Sequence, residues 1–377
     1  MLFKRQNFLF IIPLILYAYC LWQWRCFKEL GKGETLFMTI KYIKSAPGNS
    51  SERTIQAVYG QIKQDFGALV EPFTLHSSLP NLLAGVWMAC RETEIVGQVS
   101  REIKEAVALT VSRVNNCPYC VDAHSIMLNA TGNNSVAFAI AQGHVDSIEG
   151  SEFSSIIKWS LATADPDSPI LRDLPFSVEE APEIIGTAVF YHYINRMVSV
   201  FLGETPLPLN FQWSKGILKW MAGLFFSRSV GRPKSPGISL KFLPESSLPS
   251  DLEWAKHNQN VSEAFSRFAA VIEEIGEQFL CENIRLRIQG AFQGWRGEDP
   301  GLSRQWVESA IRGLDKEQQA IGRIALLTAF SPYQVDQDVI KDYYEYHPDS
   351  EKLLGIIAWS SFTISRKIGA WLYGAIQ

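Results

Sequence analysis

Residues 105–124 read EAVALTVSRVNNCPYCVDAH. With Ile103 just upstream, Val107, Val111 and Val114 fall on one helical face, so the spacing predicts a helix from Ser100 to about Val114. Ser100 suits the N-cap, where a short hydroxyl accepts from the first free backbone N–H groups. Asn115 and Asn116 break the pattern. A second helix is predicted to open near Cys117–Pro118, since proline is favoured in a first turn, and to close near Thr131, Gly132 and Asn133.

The chemistry of the stretch follows from that placement. Cys117 and Cys120 form a Cys-x-x-Cys pair at a helix N-terminus, where the first N–H groups and the helix dipole favour a thiolate. His124 lies four residues after Cys120, on the same face, and can take the thiol proton or hold a water that does. Glu105 lies on the preceding helix. If the Asn115–Asn116 turn folds that helix back, its carboxylate approaches His124 and Cys120. A nucleophilic sulfur, a second sulfur to close a disulfide and a proton relay are what reduction of a peroxide by thiols needs. Zinc is a rival use of such a pair. It asks for four ligands, and here only the two cysteines, His124 and one of Glu105 or His144 are within sequence reach. A structural cysteine pair is the other rival.

The surrounding segments are helical in pattern. Ile55, Val58, Ile62, Phe66 and Leu69 repeat at spacings of three and four. Pro80–Asn81 marks another helix start, and further helices are expected at 134–143, 150–163 and 178–202. No stretch alternates as a strand does, so the fold class is all-α.

The key stretch has a faded echo at 319–338. Pro118–Tyr119 and Val121–Asp122 match Pro332–Tyr333 and Val335–Asp336, while Gln319, Ser331, Gln334 and Asp338 stand at the positions of Glu105, Cys117, Cys120 and His124. The helix holding Asn195–Arg196 likewise resembles the one holding Ser365–Arg366. The expected architecture is therefore a duplicated helical bundle, with an active N-terminal copy and a degenerate C-terminal copy.

These residues resemble the alkylhydroperoxidase D (AhpD)-like, carboxymuconolactone decarboxylase-related superfamily: Glu on one helix, Cys-x-x-Cys opening the next, then His four residues on. The segments QIKQDFG, PNLLAGVWMACRE and Tyr193–Ile194–Asn195–Arg196 are similar too. The resemblance covers about 52–205, with the degenerate copy at 251–377. It implies a peroxidase in which Cys120 attacks the peroxide, Cys117 resolves the product as a disulfide, and Glu105 and His124 relay protons. It implies no cofactor and no metal, with a thiol or dithiol, small or on a protein, as reductant. The peroxidase branch carries a further His between its cysteines, where this chain has Tyr119. Thiol–disulfide exchange or redox sensing without efficient peroxide turnover is accordingly the alternative function. The decarboxylase branch generally lacks the cysteine pair.

Composition sets the remaining bounds. The 377 residues are 47% hydrophobic and 20% charged, enough for a large core. Residues 1–48 carry a net +5, which leaves −9 on the rest of the chain. That acidic body argues against nucleic acid as a partner. Residues 8–24 (FLFIIPLILYAYCLWQW) are an apolar run flanked by basic residues, a candidate membrane anchor on an otherwise cytoplasmic protein. Residues 206–250 read as a linker, with an amphipathic helix at 211–227 and Pro, Ser and Gly dominating 229–250. A homo-oligomer is a further candidate state. Cys20, Cys26, Cys90 and Cys281 read as buried inert thiols, and His192 as a satisfied core histidine. His76, His144, His257 and His347 read as surface or turn residues.

Overall fold

The computed structural model describes residues 40–148, 150, 152–206 and 234–375. No strand occurs among them. The first half comprises α1 (Arg53–Phe66), α2 (Glu71–Thr74), α3 (Pro80–Cys90), α4 (Arg101–Val114), α5 (Pro118–Ala130), α6 (Asn134–Gln142), α7 (Ser154–Ala162) and α8 (Ala181–Phe201). The second comprises α9 (Gln259–Phe279), α10 (Glu282–Gly294), α11 (Gln305–Ala310), α12 (Lys316–Phe330), α13 (Gln337–Tyr346) and α14 (Ser350–Gly374). The all-α expectation holds, with helix ends within a few residues of those read from the pattern.

Local chemistry explains the boundaries that matter. Ser100 Oγ accepts from Ile103 N and opens α4. Asn116 adopts φ 51°, a left-handed turn that asparagine tolerates, and the chain reverses there. Pro118 then takes the first turn of α5, with Cys117 as its N-cap. In the second half Ser331 and Pro332 lead only into a short 3₁₀ turn, Pro332–Gln334. Asp336 accepts from Val339 N at 3.0 Å and starts a new helix there, so α13 opens later than α5 does after its own Pro-Tyr.

Helix α8 is the spine. Every residue of it except Ser199 is buried, the mark of a helix enclosed on all sides. Its longest neighbour is α14, from the other half of the chain. The core runs through both halves: Tyr193 of α8 meets Phe268 of α9 and Phe362 of α14 edge-on at 5.3 and 6.0 Å. Helices α3 and α9 approach closely because Gly85 has no side chain; a Cβ there would lie 2.7 Å from the Phe268 ring.

Between α3 and α4 the helix widens into one π-turn, Arg91–Ile95, in which Val96 N donates to Arg91 O at 3.0 Å. Arg91, Glu92, Thr93 and Glu94 of this turn are buried, and three of them are charged. Arg91 pairs with Asp65 and Glu92, each at 2.8 Å. Gly97 (φ 116°) follows, with the Glu183 carboxylate where a side chain would be. That carboxylate accepts from Gln98 N and Val99 N and pairs with Lys104.

The described part of the expected linker, 234–250, is seated on this turn. Ser239 Oγ and Gly237 N donate to Glu92 at 2.6 and 2.8 Å, and Arg91 Nη2 donates to Ser235 O. The amphipathic helix expected at 211–227 and the apolar run 8–24 lie outside the described residues. Among the described residues no helix is long and apolar enough to cross a membrane.

Two histidines depart from their expected surface placement. His76 is fully buried, with Nε2 2.9 Å from the Tyr193 hydroxyl, and burial pushes its pKa down to about 3. His347 is also buried, with Nε2 3.2 Å from Glu317 O. Neither stands in a periodic apolar pattern, so tertiary packing alone places them. His192 is the satisfied core histidine expected, set between Thr163 and Asn115. Cys90 is buried as expected, whereas Cys281, at the N-cap of α10, is exposed; Cys20 and Cys26 lie outside the described residues.

Candidate active site

The turn at Asn115–Asn116 lays α5 back along α4, and the four singled-out side chains fall into two contacting pairs. Cys117 and Cys120 are joined in a disulfide, their Cα atoms 5.3 Å apart. Both are buried, and Cys117 Sγ accepts from Cys120 N in the first turn of α5. His124 sits one turn beyond Cys120. Its Nδ1 lies 2.8 Å from Oε2 of Glu105 on α4.

The electrostatics fix the roles within that pair. Burial by itself would raise the Glu105 pKa, but Arg101 and His124 outweigh it and bring the carboxyl down to about 2. Glu105 is therefore an ionised acceptor, so Nδ1 of His124 carries the proton and Nε2 is left as the ring's base. Arg101 is four residues earlier on the same helix. Its Nε and Nη2 donate to Oε1 of Glu105 at 2.8 and 2.6 Å.

Sequence reading missed the rest of the network. Nη2 of Arg101 also donates to Oε1 of Glu94, at 3.2 Å, and Glu94 comes from the π-turn. Oε2 of Glu94 accepts from the Tyr191 hydroxyl at 2.6 Å and from the Cys90 thiol at 3.3 Å. The Tyr191 ring in turn meets the His124 ring edge-on, centroids 4.6 Å apart. The contacts close a loop: His124, Glu105, Arg101, Glu94, Tyr191 and back to His124. Burial raises the pKa of Glu94, with Arg101 opposing and Glu105 adding to the rise. Burial, then the neighbouring Glu94 charge, pushes the Cys90 thiol and the Tyr191 hydroxyl well up, so both stay protonated as donors. The i, i+4 spacing of Arg101 and Glu105 was a readable signal. Glu94 and Tyr191 carried none, since one depends on a π-turn and the other sits in an aromatic run.

Tyr119, between the two cysteines, turns to a different carboxylate. Its hydroxyl donates to Glu71 Oε2 at 3.2 Å, and burial followed by the Glu71 charge raises its pKa. It is a buried neutral donor, without the titration range of a histidine.

Carboxylate oxygens of Glu94 and Glu105 and a ring nitrogen of His124 lie within 4.8 Å of one another. Arg101 already donates to both carboxylates, so a metal ion there would displace or face a guanidinium.

Beside Cys117 lies an open pocket of about 350 Å³ lined by Arg113, Asn116, Cys117, Pro118, Val121 and Leu161, among others. Cys117 is on its wall and Cys120 is not.

The site is thus a Cys-x-x-Cys pair at a helix start beside a buried glutamate paired with a half-buried histidine. The carboxymuconolactone decarboxylase family matches residues 81–150, the span that holds Glu105, Cys117, Cys120 and His124. An alkyl hydroperoxide reductase of Mycobacterium tuberculosis (strain ATCC 25618 / H37Rv) is 32% identical over 338 residues, covering 90% of this chain and 96% of that protein. The chain belongs to the alkylhydroperoxidase D-like, carboxymuconolactone decarboxylase-related superfamily. No solved structure matches it.

Proposed function

We propose that this protein is a thiol-dependent peroxidase acting on alkyl hydroperoxides or hydrogen peroxide. The observation that carries the reading is the His124–Glu105 contact at 2.8 Å, one turn from a cysteine pair already able to close. The Cys120 thiol gives its proton to His124 Nε2, and the thiolate attacks the peroxide oxygen. The O–O bond breaks, the alkoxide takes a proton from the imidazolium and leaves as alcohol, and Cys120 becomes a sulfenic acid. Cys117 then attacks that sulfur, water leaves, and the disulfide forms. The protein has lost two electrons, which a thiol or dithiol restores. Glu105 holds the His124 tautomer and stabilises the imidazolium. The name borne by the Mycobacterium tuberculosis relative supports this direction.

The second half then serves as a degenerate copy that completes the packing around α8, with 1–48, 52–205, 206–250 and 251–377 as the units of the chain. A second reading is thiol–disulfide exchange with slow peroxide turnover. It is favoured by Tyr119, which is committed to Glu71 and offers no extra relay histidine.

The deciding experiment is peroxide consumption with dithiothreitol or dihydrolipoamide as reductant, comparing wild type with Cys120→Ser. Loss of turnover in the variant is expected. Equal rates in the two proteins overturn the peroxidase reading, and disulfide formation without turnover favours exchange.

A further inference from the structure

The His124 ring is held on two sides, and both holds end on one carboxylate. Its Nδ1 meets Glu105, which Arg101 grips, and Nη2 of Arg101 goes on to Oε1 of Glu94 at 3.2 Å. Its ring meets Tyr191, whose hydroxyl donates to Oε2 of Glu94 at 2.6 Å. The Cys90 thiol, four residues before Glu94, donates to the same Oε2 at 3.3 Å. Glu94 thus receives three donors on its two oxygens. Among the described residues no hydrogen bond joins it to His124 directly, so it reaches the imidazole through Arg101 and Tyr191.

The chain neighbours of Glu94 on the π-turn are themselves fixed. A Cβ at Gly186 would lie 2.5 Å from Cγ2 of Thr93, so Thr93 seats in a notch of α8. Glu92 accepts from Ser239 Oγ at 2.6 Å and from Gly237 N at 2.8 Å. Arg91 pairs with Asp65 and donates to Ser235 O at 2.9 Å. A π-turn carries one residue more than the α-helical path and recurs at functional sites. Without that residue the Glu94 side chain would be swung by about 100° around the helix. The segment 235–239 that braces the turn lies outside residues 81–150, the span the family model matches.

Resting on the relay proposed above, we infer that Glu94 is a positioning residue for His124, acting through Arg101 and Tyr191, and that segment 235–239 keeps it in register by holding Glu92 and Arg91. One carboxylate then governs both the hydrogen bond to Nδ1 and the tilt of the ring that aims Nε2. The charged and titratable groups around it are Arg101, Lys104 and Glu105 on α4, His124 on α5, Tyr191 on α8 and Cys90 on α3. Glutamine at position 94 keeps the size and loses the pattern. Its single oxygen accepts on one side, and its amide N–H₂ faces a donor on the other. Whichever way the amide turns, one of the two holds on His124 is broken. Segment 235–239 acts at one remove, so its effect is the smaller.

The test reads the Cys120 thiolate and uses no peroxide. In the full chain carrying Cys117→Ser, alkylation of Cys120 by iodoacetamide is followed against pH and quantified on the Cys120 peptide by mass spectrometry. A well-placed imidazolium stabilises the thiolate, so a misplaced one raises the midpoint of the profile. Glu94→Gln is expected to raise it by about one pH unit, which is about tenfold in rate on its acid side. Ser239→Ala is expected to raise it by about half a unit, or about threefold. Gly85→Ala, which strains the packing of α3 on α9, is the control for lost stability: its urea midpoint falls and its pH midpoint stays. An unmoved pH midpoint in Glu94→Gln, or an equal shift in Gly85→Ala, would overturn the inference, and an unmoved midpoint in Ser239→Ala would overturn the part assigned to 235–239. Should Glu94→Gln fail to fold, Tyr191→Phe and Arg101→Lys each cut one of the two holds, and no shift in either overturns it. Absence of peroxide turnover in a protein whose Cys120 profile responds as expected would sink the peroxidase reading and leave the positioning of His124 standing.

Discussion

Tyr191 presents its ring edge to the face of the proposed relay: its centroid is 4.6 Å from that of His124, with the planes at 82°. The same side chain reaches Glu94 with its hydroxyl at 2.6 Å. One residue of the spine helix α8 thus both packs the imidazole and completes the carboxylate network on the π-turn. The His124 ring has no other aromatic neighbour among the described residues, so Tyr191 and Glu105 between them fix its tilt and its tautomer.

Separating those two contributions gives a first prediction. Tyr191→Phe keeps the ring and removes the donor, and is expected to lower peroxide turnover several-fold and stability by about 1–2 kcal/mol, the scale of one lost hydrogen bond to a buried charged group. Tyr191→Leu removes both, and turnover should fall at least tenfold further. Steady-state kinetics with urea denaturation measure the pair. If both variants lose turnover equally, the ring contact does not position His124.

Arg101 carries the second prediction. It is the cation common to Glu94 and Glu105, both fully buried on their carboxylate side. Removing one partner of a buried ionic network leaves charge uncompensated and typically costs about 3–5 kcal/mol. Arg101→Met should therefore be among the most destabilising substitutions in the chain, whereas Arg101→Met combined with Glu94→Gln should regain part of the loss. Urea denaturation of the two variants checks this, and a double variant no more stable than the single would show that Glu94 is not held by Arg101.

Much of this region was legible beforehand because it rests on local rules. Ser100 as N-cap, Asn115–Asn116 as the turn and Pro118 in a first turn each follow from one residue's own chemistry, and together they bring α4 and α5 face to face. Glu105 and His124 are nineteen positions apart in the chain, yet their meeting was readable because only one turn separates the helices. Glu94 and Tyr191 are ninety-seven positions apart, and their contact depends on how α8 crosses the π-turn, which no local pattern encodes. The same holds for His76, whose burial is set by Tyr193 from α8, and for Ser239, which finds Glu92 from a stretch that composition marks as linker. Pro332–Tyr333 open only a 3₁₀ turn, unlike Pro118–Tyr119, because the next helix is capped by Asp336, four residues after Pro332.

The crossing of α3 and α9 offers a third prediction, independent of catalysis. At Gly85 an added Cβ would lie 2.7 Å from Cδ2 and 3.3 Å from Cα of Phe268, so the backbone of α9 itself must yield. Gly85→Ala is expected to destabilise by about 1–3 kcal/mol through overpacking, although alanine is the better helix former. At Gly60 an added Cβ would meet nothing within 4 Å, so Gly60→Ala should be neutral or stabilising by comparison. Thermal denaturation of the two proteins side by side decides it, and equal shifts would mean that α3 and α9 are not in close contact.

Acid titration tests the charge assignment itself. Glu105 stays ionised in the fold down to about 2, against an ordinary value of 4.5, with Arg101, His124, Glu94, Tyr191 and Cys90 as the titratable or charged groups around it. Between those two pH values the unfolded chain binds a proton that the folded chain refuses, so this residue's contribution to stability is present above 4.5 and is lost as pH falls towards 2. Glu94 has the opposite sign. Its raised pKa gives a contribution that is complete below 4.5 and disappears as pH rises through its folded value. Glu105→Gln should therefore flatten the fall in urea midpoint on the acid side of 4.5, whereas Glu94→Gln should alter the slope only on its alkaline side. Parallel profiles for wild type and Glu105→Gln across the acid range would mean that Glu105 is not held ionised by Arg101 and His124, and would remove the basis for assigning the free base to Nε2 of His124.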